Sequence, residues 1–454
     1  MNSMKTLKNS RPFKVAIIGA GPSGLAAAHA LLPHKKISTT ICDTGSQVSK
    51  RNHRNAWDIT RGVGGAGLFS DGKFSFFPAN STVYRVGDRK CLDSAYRWLS
   101  VVLRSAGIAV EPLPTKEEIE HLPPRALREG KNYQSHYGTL EKRISLIQTL
   151  EEDLSDRLLL ATEVTSIDGE PQNYWLCCTS KGKDVTIGPF NAIIVATGKF
   201  GTDLLLNSPK IIVPALPLRY EFGIRLDLDR KASFFKDSNC ADIKKFWNVG
   251  PLHFRTFCTC LNGEVWAIPS MVGWTLSGRS DGITTTHSNL GFLVRYAGSA
   301  IERGQSIWST LKERLKKQQF IIWQPMREMF QLDNRSNGFY TEPPWFPSGL
   351  YRRGLICEAA GDMLFGDLLV GLKQLLSWSD DLIDATCLFP SIEGLGEYPN
   401  VDASFKIPIH SIWACGDVLG QIRGIVPAFI NGFYVGSKVA DFFSAKSQSN
   451  SLLL

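Results

Sequence analysis

An α/β fold, in which a parallel-sheet domain is interrupted by a mixed α+β region, is predicted by three stretches of this 454-residue chain. Residues 14–43 (KVAIIGAGPSGLAAAHALLPHKKISTTICD) read as an apolar strand, a glycine turn, an Ala/Leu-rich helix and a second strand ending in Asp43. Residues 191–198 (NAIIVATG) read as a buried strand closing on small residues. Residues 409–436 return to that texture, with a short strand, Gly416 and Asp417, then a glycine-bearing helix over about 427–443.

The first stretch has the form of the dinucleotide-binding βαβ unit of a Rossmann-type domain. Gly19 makes the tight turn, Gly21 lets a pyrophosphate approach the backbone, and Gly24 lets the helix pack closely on the sheet. Pro22 and Ser23 open the helix, whose free N–H groups and positive dipole end favour phosphate. Asp43, nineteen residues past Gly24, stands where a carboxylate accepts hydrogen bonds from a ribose diol. The motif alone does not choose between NAD and FAD.

Residues 1–12 read as disordered and 44–84 as a long loop. The centre of that loop, 61–73 (RGVGGAGLFSDGK), is so glycine-dense that its backbone is expected to press against a ligand and offer an anion-binding nest. No good apolar strand precedes it and no helix-forming run follows, so a second dinucleotide turn is rejected. Helical spacing marks 91–108 (Leu92, Tyr96, Leu99, Leu103) and 140–154, with a proline- and charge-rich loop over 111–136 between them. Strands follow at 158–161 leading into Val164, at 174–179 and at 184–188. Residues 211–404 differ in texture, with strands at 219–226, 252–260 and 264–268, helical segments at 290–301 and 366–376, and a loop at 343–354. The expected division is therefore a discontinuous first domain (12–85, 138–210, 405–446), a helical and loop insertion (86–137), and a second domain (211–404).

A composition of 43% hydrophobic and 21% charged residues is that of a globular chain. The net charge of +8 comes without a lysine/arginine run interleaved with aromatics, so nucleic-acid binding is a minor option, and an anionic cofactor and substrate would account for the charge equally well. No apolar h-region follows the basic first fourteen residues, the next apolar run being the first core strand, and no run of eighteen apolar residues exists, so neither a secretory signal nor a membrane span is expected. The ten scattered cysteines read as reduced thiols of a cytoplasmic protein. There is no CxxC, no HExxH and no histidine cluster, so no metal is expected. Oligomeric state stays open.

Six motifs occur in one order: GAGPSG (19–24), GVGGAGLFSDGK (62–73), AIIVATG (192–198), RTFCTCLNGEV (255–265), SDGITTTHSNLGFLV (280–294) and ACGDVLGQIRGIVPAFINGFYVG (414–436). Together they resemble an uncharacterised family of FAD-dependent dehydrogenases related to the glutathione-reductase-type NAD(P)/FAD-dependent oxidoreductases. GGAGLFSDGK and TFCTCLNGEV are the narrow motifs. Members usually carry Thr where Leu68 stands and often Glu where Asp43 stands. The resemblance implies non-covalent FAD, with Gly19, Gly21, Pro22, Ser23, Gly24 and Asp43 on its ADP half. It places Gly64, Gly65, Ala66, Gly67, Ser70 and Asp71 by the flavin half, and Val164, Ala196, Thr197 and Gly198 beside the cofactor. Gly416 and Asp417 would hold ribityl and pyrophosphate, and Arg423, Gly424, Ile425 and Val426 the pyrimidine edge. With no second dinucleotide fingerprint, either NAD(P)H is not the electron partner or it binds only transiently as a reductant.

Four residues are the candidates for chemistry. Cys258 and Cys260 are i and i+2 in a predicted strand, so both sulfurs share a face; they read as a reactive pair or as two inert buried thiols, the commoner case. Asp71 and Lys73 could bind or protonate substrate, or simply pair with each other. Arg255 could fork onto a ligand carboxylate or phosphate or form a structural ion pair, His410 could be an acid/base or a structural histidine, and Trp266, Trp274 and Trp345 could line a pocket or a core. The expected function is an oxidoreductase moving hydride between a small organic substrate and FAD N5. The alternatives are a flavin monooxygenase using NAD(P)H and O2, and a non-catalytic or RNA-linked flavoprotein.

Overall fold

The computed structural model describes residues 12–122, 134–199, 201–206, 208–236, 243–279, 284–331, 340, 346 and 348–452. The predicted disorder of 1–11, part of the 111–136 and 343–354 loops, residues 280–283 of the fifth motif, Cys240 and Trp345 lie outside the described residues.

Five parallel strands form the first sheet, in the order Ile412–Ala414, Ala192–Val195, Phe13–Ile18, Ile37–Cys42 and Leu158–Leu159. Its central strand is covered on both faces, which is why it reads as an unbroken apolar run. The glycine turn lifts the chain from that strand into the helix Pro22–Leu31, whose small side chains let a second helix, Ile425–Leu452, come into backbone contact. A Cβ on Gly432 would stand 2.0 Å from the Ser23 carbonyl oxygen, and one on Gly436 would stand 2.4 Å from that of Ala27. The equal offset means that the two helices run parallel, with Pro22 level with Asn431 and the first turns of the longer helix, from Ile425, projecting past it. The helix Arg89–Ser105 packs outside them, its Trp98 ring stacked on Phe433 at 4.9 Å.

The antiparallel meander Thr162–Glu170, Asn173–Ser180 and Lys183–Phe190 is tied to the first sheet beside Asp43. The Thr162 N–H donates to the Asp43 carbonyl at 2.9 Å.

A seven-stranded sheet is built from residues between 215 and 399, in the order Phe246–Val249, Leu252–Cys260, His287–Tyr296, Ala215–Asp229, Thr386–Pro399, Ile321–Pro325 and Tyr351–Arg353. All neighbours are antiparallel except the last pair. The long strand Ala215–Asp229 alternates. Tyr220, Phe222, Ile224, Leu226 and Leu228 enter an apolar core that includes Ile307, Leu311 and Leu315 of the helix Ile301–Gln318 and Leu364, Leu368 and Leu372 of the helix Asp362–Leu376. Arg219, Glu221, Arg225 and Asp227 point the other way. That charged face meets the first domain, where Arg219 donates to the Gly420 carbonyl.

Three expectations are corrected. Residues 290–301 are not a helix: Leu290, Phe292, Val294 and Tyr296 alternate into the core of the strand His287–Tyr296, and the helix starts only at Ile301. Inside 111–136, Thr115 and Glu118 form a capping box that starts the helix Lys116–Glu120. Inside 44–84, helical turns form at Ala56–Thr60 and Gly65–Leu68, so a helical turn does follow the glycines.

Candidate functional site

The site begins where the parallel strands end. Gly19 has φ +103°, and a Cβ there would stand 2.5 Å from the Ala196 carbonyl oxygen. Gly24 closes the turn, since its Cβ would meet the Gly19 carbonyl oxygen. Gly21 is different: its Cβ would meet only the Cα of Gly65, at 3.8 Å. Gly21 is also the N-cap of the helix Pro22–Leu31 and brings no side chain to it. Pro22, at the N-terminus of the first helix, and Ile425, at that of the second, both lie against Gly67 of the glycine loop, and helix N-termini so placed favour an anion. A shallow crevice lies beside them, lined by Pro22, Gly64, Gly67, Arg143, Ile147 and Ile425 among others.

The glycine loop is held in front of this turn by three buried side chains. Asp43 accepts the Ala20 N–H on Oδ2 at 2.8 Å, and those of Gly62 (2.8 Å) and Gly45 (2.9 Å) on Oδ1. Arg51 donates to the carbonyls of Val63 (2.6 Å), Asp58 (3.1 Å) and Gly65 (2.9 Å), and Arg143 to that of Ser70 (2.7 Å). Burial lowers both guanidinium pKa values to about 10. Asp43 thus stands at the predicted strand end, but much of its acceptor capacity serves the backbone. Ala66 is exposed, Val164 is half-buried at the start of the meander, and Ser70 donates to the Gly67 carbonyl at 2.9 Å.

Beyond the loop, the structure brings Asp71, Lys73, Cys258 and Cys260 together. Lys73 Nζ lies 3.2 Å from Asp71 Oδ2 and donates to the Thr259 carbonyl at 2.7 Å. The Cys258 thiol donates to Asp71 Oδ2 at 3.7 Å. Buried Arg225 donates to the Cys258 carbonyl at 2.5 Å and to Cys260 Sγ at 3.6 Å. The ligand atoms of Asp71, Cys258 and Cys260 lie within 4.8 Å of one another. The predicted reason for this proximity needs correction. The strand is interrupted by an irregularity between Phe257 and Cys260, and Cys258 has φ +47°, so regular i, i+2 pleating does not bring the sulfurs together.

At the other end, Thr197 Oγ1 donates to the Gly201 carbonyl at 3.1 Å, and a Cβ on Gly198 would meet no heavy atom within 4 Å. A Cβ on Gly416 would stand 2.5 Å from Ser23 Oγ, which seats the Gly416–Asp417 corner on the first helix. Arg423 is bound into an ionic network, with Nε 2.9 Å from Asp417 Oδ1 and Nη1 2.5 Å from Glu393 Oε2. Lys199 also reaches Glu393, at 3.1 Å. Burial opposes the charge on Glu393, but Lys199 and Arg423 outweigh it and hold the pKa down to about 2. Gly424 and Val426 flank Ile425 where the C-terminal helix begins.

Sequence reasoning missed the centre of that network. Glu221, fully buried, accepts from Arg295 (2.6 Å), Arg219 (3.2 Å) and Arg255 (3.2 Å). The signal was present in the alternation of Arg219, Glu221, Arg225 and Asp227 within an otherwise apolar strand. Arg255 accordingly serves Glu221. His410 is buried, its pKa lowered by burial, with Nδ1 3.4 Å from the Tyr174 hydroxyl, which suits a structural role. Trp266 is buried with the Arg279 guanidinium 4.1 Å from its ring centre, and Trp274 faces Trp57 at 6.4 Å.

No protein-family model matches the chain, and no curated protein matches it. Solved structures with some likeness include CtdE in complex with FAD and a substrate, at 11% identity over 94% of this chain and 80% of that one, TM-score 0.38. A geranylgeranyl bacteriochlorophyll reductase-like protein from Thermoplasma acidophilum shares 10% identity over 96% and 80%, TM-score 0.41. A salicylate hydroxylase substrate complex shares 12% over 94% and 79%, TM-score 0.39. At these TM-scores the likenesses carry no functional argument.

Proposed function

We propose that this chain is a FAD-dependent oxidoreductase acting on a small organic molecule. The observation that carries this reading is the glycine turn after the strand Phe13–Ile18, where the bare Cα of Gly21 caps the helix Pro22–Leu31 and where Pro22 and Ile425, each at a helix N-terminus, lie against Gly67. Such an edge receives the pyrophosphate of a dinucleotide. The donor set fits FAD: Gly21 and the two helix ends for the phosphates, Gly198 and Gly424 for close backbone approach, and Asp417 for a ribityl hydroxyl. Asp43 would offer a ribose only the acceptor capacity that the Ala20, Gly45 and Gly62 amides leave.

Bound FAD would supply two-electron chemistry at N5, and hydride exchange with the substrate is the reaction proposed. The chain's own part is orientation and charge. The charged face of the seven-stranded sheet would form the wall opposite the dinucleotide domain, with Arg51 and Arg143 keeping the glycine loop in register. Asp71 and Lys73 would hold or move a proton at the substrate, Asp71 at Oδ2 and Lys73 at Nζ. The finer reading, a glutathione-reductase-like domain made of 12–85, 138–210 and 405–446 with a substrate domain over 211–404, belongs to this proposal. So does a cytoplasmic location; among the described residues no helix is long and apolar enough to cross a membrane.

The test is an absorbance spectrum of the purified protein before and after anaerobic NADH or NADPH. A flavin spectrum that either nicotinamide bleaches marks a reductase or, if oxygen is then consumed with product hydroxylation, a monooxygenase. A flavin spectrum that resists both marks a dehydrogenase with another electron acceptor. A protein that neither retains nor takes up flavin overturns the proposal.

A further inference from the structure

The Cys258-Thr259-Cys260 segment is built in a way that core packing does not require. Cys258 holds φ +47°, a left-handed conformation that is strained for a non-glycine residue and that gathers at functional sites. The strain is held by charge. Arg225 binds the carbonyl of Cys258 and Lys73 binds that of Thr259, so two cations clamp the consecutive peptide oxygens between the thiols. Thr259 is anchored besides, through Oγ1 to the Ile243 carbonyl at 3.0 Å.

The sulfurs are not equivalent. Cys258 is half-buried and Cys260 fully buried. Arg225 has a buried Nη1 without a hydrogen-bond partner in addition to the Nη2 that reaches Cys260. A hydrogen bond from Cys260, with Arg225 and Lys73 nearby, lowers the pKa of Cys258 against burial and the Asp71 carboxylate, which raise it, while the same pairing and burial raise that of Cys260. Two cations beside the sulfurs favour a thiolate and disfavour a divalent metal ion.

We propose that Cys258 and Cys260 form a redox-active dithiol that closes to a disulfide, with Cys258 attacking a small hydroperoxide and Cys260 resolving the product. The Cys258 thiol proton passes toward Asp71, its acceptor at 3.7 Å. The thiolate attacks one peroxide oxygen; the S–O bond forms, the O–O bond breaks, and the leaving oxygen departs protonated as water or an alcohol. Cys260 then attacks the sulfenic sulfur; the S–S bond forms, the S–O bond breaks, and hydroxide leaves with the Cys260 proton as water. The two cysteines lose two electrons in all and the peroxide gains them. A dithiol reductant reverses the closure.

Trypsin releases both thiols in one peptide, residues 256–279, which holds no other cysteine. Purified protein treated with one equivalent of hydrogen peroxide at neutral pH is expected to yield this peptide lighter by two hydrogens, and dithiothreitol to restore it. In Cys260→Ser, dimedone should label Cys258; in Cys258→Ser it should leave Cys260 unlabelled. Lys73→Met should slow the oxidation about tenfold, through loss of one thiolate-stabilising charge. A wild-type peptide that stays reduced under peroxide that oxidises glutathione in the same tube overturns the proposal. So does dimedone labelling at Cys260 instead of Cys258, or a copurifying zinc ion that shields both thiols from alkylation. The mass readout requires no flavin, so this proposal and the cofactor reading can fail separately.

Discussion

Gly432 lies against the backbone carbonyl of Ser23, so close that a Cβ would stand 2.0 Å from the oxygen. Backbone on both sides leaves little room to yield, and Gly432→Ala is expected to destabilise the protein by about 2–3 kcal/mol. Gly366 is the control. It sits exposed inside the helix Asp362–Leu376 with no heavy atom within 4 Å of its Cβ position, and Gly366→Ala should stabilise by about 1 kcal/mol. Urea midpoints decide: two shifts of the same sign would mean that the helix pair is not packed this way.

Asp43 gathers the N–H groups of Ala20, Gly45 and Gly62 onto one carboxylate. Asp43→Asn removes the charge and puts an amide nitrogen where an acceptor stood, at an expected cost of about 2–4 kcal/mol. Proteolysis should then cut first in the 44–68 loop. A variant as resistant as wild type would show that the loop is held by Arg51 and Arg143 alone.

Gly21→Val should fold and lose retained flavin, because its side chain would project into the space left for the pyrophosphate. Absorbance of the purified variant reads the result, and a yellow variant refutes the placement.

The carboxylates at the domain junction give stability a defined pH dependence. The pKa of Glu393 falls from an ordinary 4.5 to about 2 on folding. Its contribution, on the order of 3 kcal/mol, is therefore full above pH 4.5 and is lost as the pH falls toward about 2. The difference in urea midpoint between wild type and Glu393→Gln should shrink over that interval. Glu221→Gln is expected to cost more, about 3–5 kcal/mol, since it leaves Arg219, Arg255 and Arg295 facing one another in a buried site.

What could be read from the sequence follows from how local each signal is. The first βαβ unit was legible because its glycines, strand periodicity and terminal acid all lie within residues 14–43. The strand His287–Tyr296 was misread because a short apolar run suits either period, and its identity is settled by pairing with Ala215–Asp229 and Leu252–Cys260. The grouping of Asp71, Lys73, Cys258 and Cys260 could be suspected from residue type, but not for the right reason, since the irregularity at Cys258 depends on cations from elsewhere in the chain. The four arginines of the junction, Arg219, Arg255, Arg295 and Arg423, come from four distant segments, and only the charged alternation around Glu221 announced them.

The parallel pairing of Pro22–Leu31 with Ile425–Leu452, and the edge strand Ile412–Ala414, also set a timetable for the growing polypeptide. The seven-stranded sheet spans 215–399 without interruption by the other domain, so all its strands have left the ribosome while the first helix still lacks its companion. The helix Pro22–Leu31 must wait, with its Ala- and Leu-lined surface uncovered, until residues 412–452 emerge. During that wait the nascent chain is most open to chaperones and proteases, and the helix pair cannot close before translation has passed residue 436.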